Sequence, residues 1–233
     1  MPNLPFVVEL ARDLIRLDTT NPPGEEHLAV DLIERLLQDA DIECARYESQ
    51  PGRPNLVARV NGRGEAPPLL MQGHVDVVTT ANQSWRHAPF GGDIVDGYLW
   101  GRGALDMKSG VAMMVSAAIR TRARGGAAGD LVLAVLADEE AGGLCGARWL
   151  VDEHPDLFSG VRHAIGESGG VTLHLGGRRF YPIMVCEKRG CQMVVTLRGP
   201  GGHGSVPAHG GAMAKLGALL TTLDNSRLPV HIT

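Results

Sequence analysis

Four short segments gather the acidic and imidazole groups of this chain, and each follows an apolar run or a glycine turn. They are His74-Val75-Asp76 after Leu69-Leu70-Met71, Asp106 at the end of Gly101-Arg102-Gly103-Ala104-Leu105-Asp106, Asp138-Glu139-Glu140 after the apolar run 131–136, and Glu167 in Gly166-Glu167-Ser168. Ionised groups at the ends of buried strands are costly unless something pairs with them, and one metal ion pairs with several at once. One imidazole among several carboxylates suits zinc, cobalt or manganese better than calcium or a cysteine-held structural zinc. The chemistry this points to is metal-assisted hydrolysis. Two ions sharing one carboxylate, roughly 3.5–4 Å apart, would activate a water, and a nearby unligated carboxylate would take its proton.

The clusters differ in what each says alone. His74 and Asp76 are two apart, so in an extended segment both project from one face, and Asp76 is placed to accept the second ring N–H of a ligating imidazole. The same pair also reads as a surface histidine beside a strand-end acid. Asp106 stands at the start of an apolar helix, where a carboxylate serves as an N-cap as readily as a bridge between cations. Glu139 and Glu140 are harder to explain without a cation, because adjacent carboxylates at a strand end repel each other. Gly142 and Gly143 beside them point to a close approach rather than a solvated acidic run.

The elements that hold these groups are legible as periods. Residues 6–17 carry Val7, Leu10, Leu14 and Leu17 at helical spacing, stopped by Asn21-Pro22-Pro23-Gly24. A second helix is expected over 25–40 with Leu28, Leu32, Leu36 and Leu37 on one face, and strands over 42–47, 55–60 and 69–74. Residues 110–122 read as a buried helix, 131–137 as a continuously apolar strand, 146–153 as a short helix and 163–166 as a strand. Continuous apolar strands alternating with helices give a layered α/β/α domain with a sheet covered on both faces. The ligand crevice of such a sheet lies beyond the carboxyl ends of its strands, where His74, Glu139, Glu140 and Glu167 fall.

After about residue 184 the pattern changes. A short strand is expected over 193–197, a glycine-rich loop surrounds His203, a helix follows over 212–223, and 229–233 opens what reads as another strand. Residues 1–184 are thus one domain and 185–233 the beginning of a second. The net charge of −4, with Lys and Arg scattered, leaves no basic footprint for nucleic acid. No stretch approaches the roughly 20 apolar residues of a membrane span. Glu9, Arg12 and Asp13 interrupt any export signal, so a soluble cytoplasmic protein is expected. Cys44, Cys145, Cys186 and Cys191 form no CxxC pair and are expected to be reduced thiols. With aromatics at only 4%, no aromatic substrate pocket can be pointed to.

Taken in order, GHVDVV at 73–78, WGRGALDMKSG at 100–110, ADEEAGG at 137–143, GESGG at 166–170 and GGHGSVP at 201–207 resemble the M20 family of metallopeptidases. The resemblance covers essentially the whole chain but only somewhat more than half of a complete family member. It implies a metallohydrolase domain built on a mixed sheet, followed by an α+β lid through which two copies dimerise. It makes His74, Asp106 and Glu167 ligands of one zinc ion, with Asp106 bridging to a second ion held by Glu140. Glu139 would be the general base and Asp76 the residue orienting His74. His203, on the lid, would hold the developing oxyanion in the partner subunit. The Asp106–Met107 peptide would be cis.

The implied substrate is a small N-acyl amino acid or short peptide with a free carboxylate, cleaved by a carboxypeptidase-like or deacylase activity. His87, His154, His163, His174, His209 and His231 match no family ligand. The late histidine that family members supply to the second ion has no counterpart by Thr233, so that ion is expected to be weakly held or absent. The competing expectation is therefore a catalytically impaired fragment that binds one metal or none.

Overall fold

The computed structural model describes residues 5–167, 172–183, 193–203, 205 and 209–227. The chain divides into two compact units, Met1–Met184 and Val185–Thr233.

The first unit opens with α1 (Phe6–Arg16) and α2 (Glu26–Asp39), then β1 (Cys44–Glu48), β2 (Pro54–Val60) and β3 (Leu69–His74). A hairpin of β4 (Asp93–Val95) and β5 (Tyr98–Trp100) leads to α3 (Lys108–Ala123) and β6 (Leu131–Leu136). After α4 (Ala147–Glu153) come β7 (His163–Ile165) and a second hairpin, β8 (Leu173–Leu175) with β9 (Arg178–Phe180).

The main sheet has the order β1-β2-β6-β3-β7. β6 runs parallel to β3 and antiparallel to β2, and β7 is parallel to β3, so the sheet is mixed. Alternate residues of the central strands divide between two layers. Leu56, Ala58 and Val60 of β2 and Leu131, Leu133 and Val135 of β6 join α1, α2 and α3 in the larger core. Val57, Val132, Ala134 and Leu136 face the other way, onto Leu150 of α4 and onto Trp149, Leu157 and Phe158. Every residue of β6 is buried, as a central strand covered on both faces requires. The expected α/β/α layering is therefore present.

Leu133 packs at the centre of this arrangement at 2% exposure. Leu133→Ala should lower unfolding free energy by about 2–5 kcal/mol, read as a lower urea midpoint at unchanged slope.

Two expectations need correcting. The face α2 turns to the core is Ala29, Val30, Ile33 and Leu37, with Leu32 and Leu36 flanking and Leu28 exposed, one position off the leucine stripe. In the second unit residues 193–197 form no strand. Met193, Val194 and Val195 are 76%, 97% and 58% exposed, and among the described residues this β-branched run has no partner to pack on. The expected helix there is α5 (Ala212–Asn225). The strand expected over 229–233 lies outside the described residues. Among the described residues no helix is long and apolar enough to cross a membrane.

Candidate metal centre

His74 ends β3 beside Leu136, the last residue of β6, so the imidazole sits at the carboxyl end of the two central parallel strands. It is 1% exposed. Its Nδ1 lies 3.0 Å from the backbone carbonyl of Asp76, an atom that only accepts. Nδ1 therefore carries a proton, and Nε2 is the atom turned to the cluster. Nε2 is 2.9 Å from Asp106 Oδ1 and 3.9 Å from a carboxylate oxygen of both Glu139 and Glu167.

Asp106 reaches this point from the turn after β5. The helix cap reading does not hold, because α3 takes Met107 as its N-cap and no side chain caps it. The Asp106–Met107 peptide is cis. Glu167 arrives from the turn after β7, the strand on the other side of β3. Gly166, just before it, lies close against the end of the Gln72 side chain.

Glu139 and Glu140 lie on a 3-10 turn, Glu139–Ala141, entered through Asp138 in the left-handed conformation at φ 65°. A non-glycine residue holds that conformation at a cost, and Asp138 does so under several constraints. Its own N–H donates to Glu26 Oε1 at 3.2 Å, and its carboxylate accepts from the Cys145 N–H at 3.0 Å and from Arg53 at 3.0 Å.

Asp76 is buried completely and binds the Glu139–Glu140 turn to the histidine strand. Its carboxylate stands 3.3 Å from His74 Nδ1 and accepts the N–H groups of both Glu139 and Glu140 at 3.1 Å. Burial works against its charge, but hydrogen bonds from His74 and Asn21 prevail and hold it below the ordinary carboxylate range. Burial likewise works against the His74 cation. The Asp76 hydrogen bond and the charges of Asp76, Glu139 and Asp106 outweigh it and push the imidazole up to about 9. Glu140 and Glu167 move upward, first by burial and then by repulsion from Asp106 and Glu139. The cluster carries more negative charge than its one imidazole can balance, which is the electrostatic signature of a cation site.

Among the described residues, His74, Asp106 and Glu167 offer ligand atoms that all lie within 4.8 Å of one another. One imidazole and two carboxylates fit a divalent ion of the zinc class. Glu139 stands beside this trio, whereas Glu140 is not part of it. His203 belongs to the second unit, where its Nδ1 accepts from the Ser205 hydroxyl at 2.7 Å on an exposed turn.

The sequence model of peptidase family M20/M25/M40 matches residues 70–213. The chain belongs to this family. This M20 chain is 37% identical over 234 residues to a succinyl-diaminopimelate desuccinylase of Cereibacter sphaeroides, covering 96% of the chain and 58% of the relative. The desuccinylase of Ruegeria pomeroyi is 39% identical over 200 residues, 85% of this chain and 50% of the relative. The chain thus spans little more than half the length of these relatives.

Solved structures agree on the fold. Human carnosine dipeptidase 1 matches at a TM-score of 0.60 and 22% identity, over 69% of this M20 chain and 38% of that one. An M20 family metallo-carboxypeptidase of Sulfolobus solfataricus matches at 0.62 and 20% identity, over 72% of this chain and 38% of that one.

The structure adds residues that spacing could not single out. Asn21, Glu26, Arg53 and Asp138 interlock behind Asp76. Lys108, fully buried, donates to the Leu17 carbonyl at 2.6 Å and ties the end of α1 to the start of α3. Burial lowers its pKa to about 8.

Proposed function

We propose that this chain is the metal-binding part of an M20-type amidohydrolase acting on a small N-acyl amino acid or short peptide. The observation that carries the reading is the meeting of His74, Asp106 and Glu167 from separate loops and strand ends, with the Glu139 carboxylate 3.9 Å from the same imidazole nitrogen. His74, Asp106 and Glu167 would hold one divalent ion, and Asp106 with Glu140 would hold a second. Zinc is the first choice, with cobalt or manganese as substitutes. When bound, such an ion lowers the pKa of a water and polarises the amide carbonyl.

The chain's own residues do the rest. Asp76 accepts the Nδ1 proton side of His74 and keeps Nε2 free to ligate. Glu139 is the base: it takes the proton of the attacking water and returns it to the leaving amine, so the C–N bond breaks without releasing an amide anion. Its side chain is half exposed, so water and substrate can reach it. The desuccinylase relatives favour an N-succinyl amino acid as the first substrate to try. A free carboxylate on the substrate and a deacylase or carboxypeptidase outcome follow from the family likeness. So do residues 185–233 as the start of a dimerising lid, with His203 the oxyanion residue offered to the partner subunit. A cytoplasmic location is the matching expectation. The alternative of an impaired fragment has no support from the comparisons.

The test is elemental analysis of the purified chain after zinc addition and removal of excess, together with hydrolysis of N-succinyl and other N-acyl amino acids. Bound zinc with amide cleavage is the expected result. A chain that retains no divalent ion overturns the proposal.

A further inference from the structure

We propose that Asn21, distant in sequence from every candidate ligand, is a positioning residue of the metal centre, setting the angle of His74 through Asp76. The inference rests on the proposed function, and the observations behind it are hydrogen bonds. Residues 19–21 run alongside 75–77: the Asn21 N–H donates to the Val77 carbonyl at 2.9 Å and the Val77 N–H to the Thr19 carbonyl at 3.1 Å. This backbone pairing sets the Asn21 side chain against Asp76, where it is 6% exposed. Its Nδ2 donates to Asp76 Oδ2 at 2.8 Å and to Asp138 Oδ1 at 3.2 Å. Both partners are carboxylates, which only accept when ionised, so the amide has one workable orientation.

Asn21 therefore bridges the two acids that govern the site. Asp76 fixes the His74 ring and holds the Glu139 and Glu140 N–H groups. Asp138 is the left-handed residue that turns the chain into that pair. Asp138 Oδ1 also accepts from Arg53, which bonds the fully buried Glu26 as well, and Asp138 Oδ2 accepts the Cys145 N–H. Gly24 leaves space for that guanidinium, because a Cβ there would lie 2.5 Å from Arg53 Nε. With Asp138 held by Arg53 and the Cys145 N–H, the Asn21 amide has a fixed point from which to orient Asp76. Without it Asp76 loses one donor and its link to that anchor, and His74 loses the rigidity of its orienting partner.

Asn21→Leu removes both donors while keeping the branching of the side chain, and adds no charge. In the full 233-residue chain, Co2+ affinity measured by visible absorption should fall roughly 10- to 100-fold, the range for loss of a partner behind a ligating histidine, and the cobalt bands should shift. Leu133→Ala serves as a control: it destabilises the same sheet without touching the site, and its Co2+ affinity, measured well below its melting temperature, should stay within about twofold of wild type. If Asn21→Leu does not fold, Asn21→Ser takes its place, with the same expected direction. Wild-type affinity and bands in the folded Asn21 variant would overturn the inference, as would an equal loss of affinity in Leu133→Ala. Absence of cobalt bands in the wild-type chain would instead bring down the metal-centre reading itself.

Discussion

Glu139→Gln should reduce amide hydrolysis by roughly 10²- to 10⁴-fold, the contribution of a positioned proton acceptor, while bound zinc stays at the wild-type amount. The two halves of that expectation come from different atoms. Gln keeps the shape of the side chain and leaves the Glu139 N–H on Asp76 Oδ1, so the turn that carries Glu140 is undisturbed. What it removes is a carboxylate oxygen 3.9 Å from His74 Nε2 that can take a proton from water. The closely packed trio of His74, Asp106 and Glu167 does not include Glu139. Loss of zinc in this variant would mean that Glu139 is a ligand, and the roles of Glu139 and Glu140 would have to be exchanged.

How far the sequence leads depends on whether a feature is periodic or formed at a distance. β3 and β6 are legible because strands covered on both faces read as continuous apolar runs, and their carboxyl ends place His74 and the Glu139–Glu140 pair in one crevice. The two hairpins are too short for periodicity to expose. They are marked instead by their turns: Asp96-Gly97 has φ of 53° and 81°, Gly176-Gly177 has 57° and 73°, and such two-residue turns suit tight hairpins. The run 193–197 shows the opposite error, where β propensity with no surface to pack on among the described residues makes no strand.

The network behind the site is illegible for a further reason. Asn21 meets residues 55 and 117 positions away, and Arg53 meets one 85 positions away, separations at which spacing carries no information. Asn21 stands in a Pro-rich stop after a helix, and only the fold reveals that the stop places an amide against Asp76.

His74→Ala should cost more metal affinity than any change behind the ligands, above roughly 100-fold, because it removes a donor rather than its support. The fold should survive. Asp76 keeps three donors in the variant, the N–H groups of Glu139 and Glu140 and the amide of Asn21, so no buried carboxylate is left bare. The same variant should change the pH dependence of the metal-free protein. His74 is raised from 6.5 to about 9 by the carboxylates around it, once their attraction has overcome burial. A group whose folded pKa is raised stabilises the fold fully below its unfolded value and loses that contribution as pH rises through the folded one. Wild-type metal-free protein should therefore lose stability from about pH 6.5 to about 9, and His74→Ala should lack that decline, as urea midpoints across the range would reveal. A divalent ion on Nε2 takes the place of that proton, so wild-type chain loaded with zinc should lose the decline as well. If His74→Ala keeps both full metal content and the wild-type pH slope, the imidazole is neither the ligand nor the charge on which the carboxylates depend.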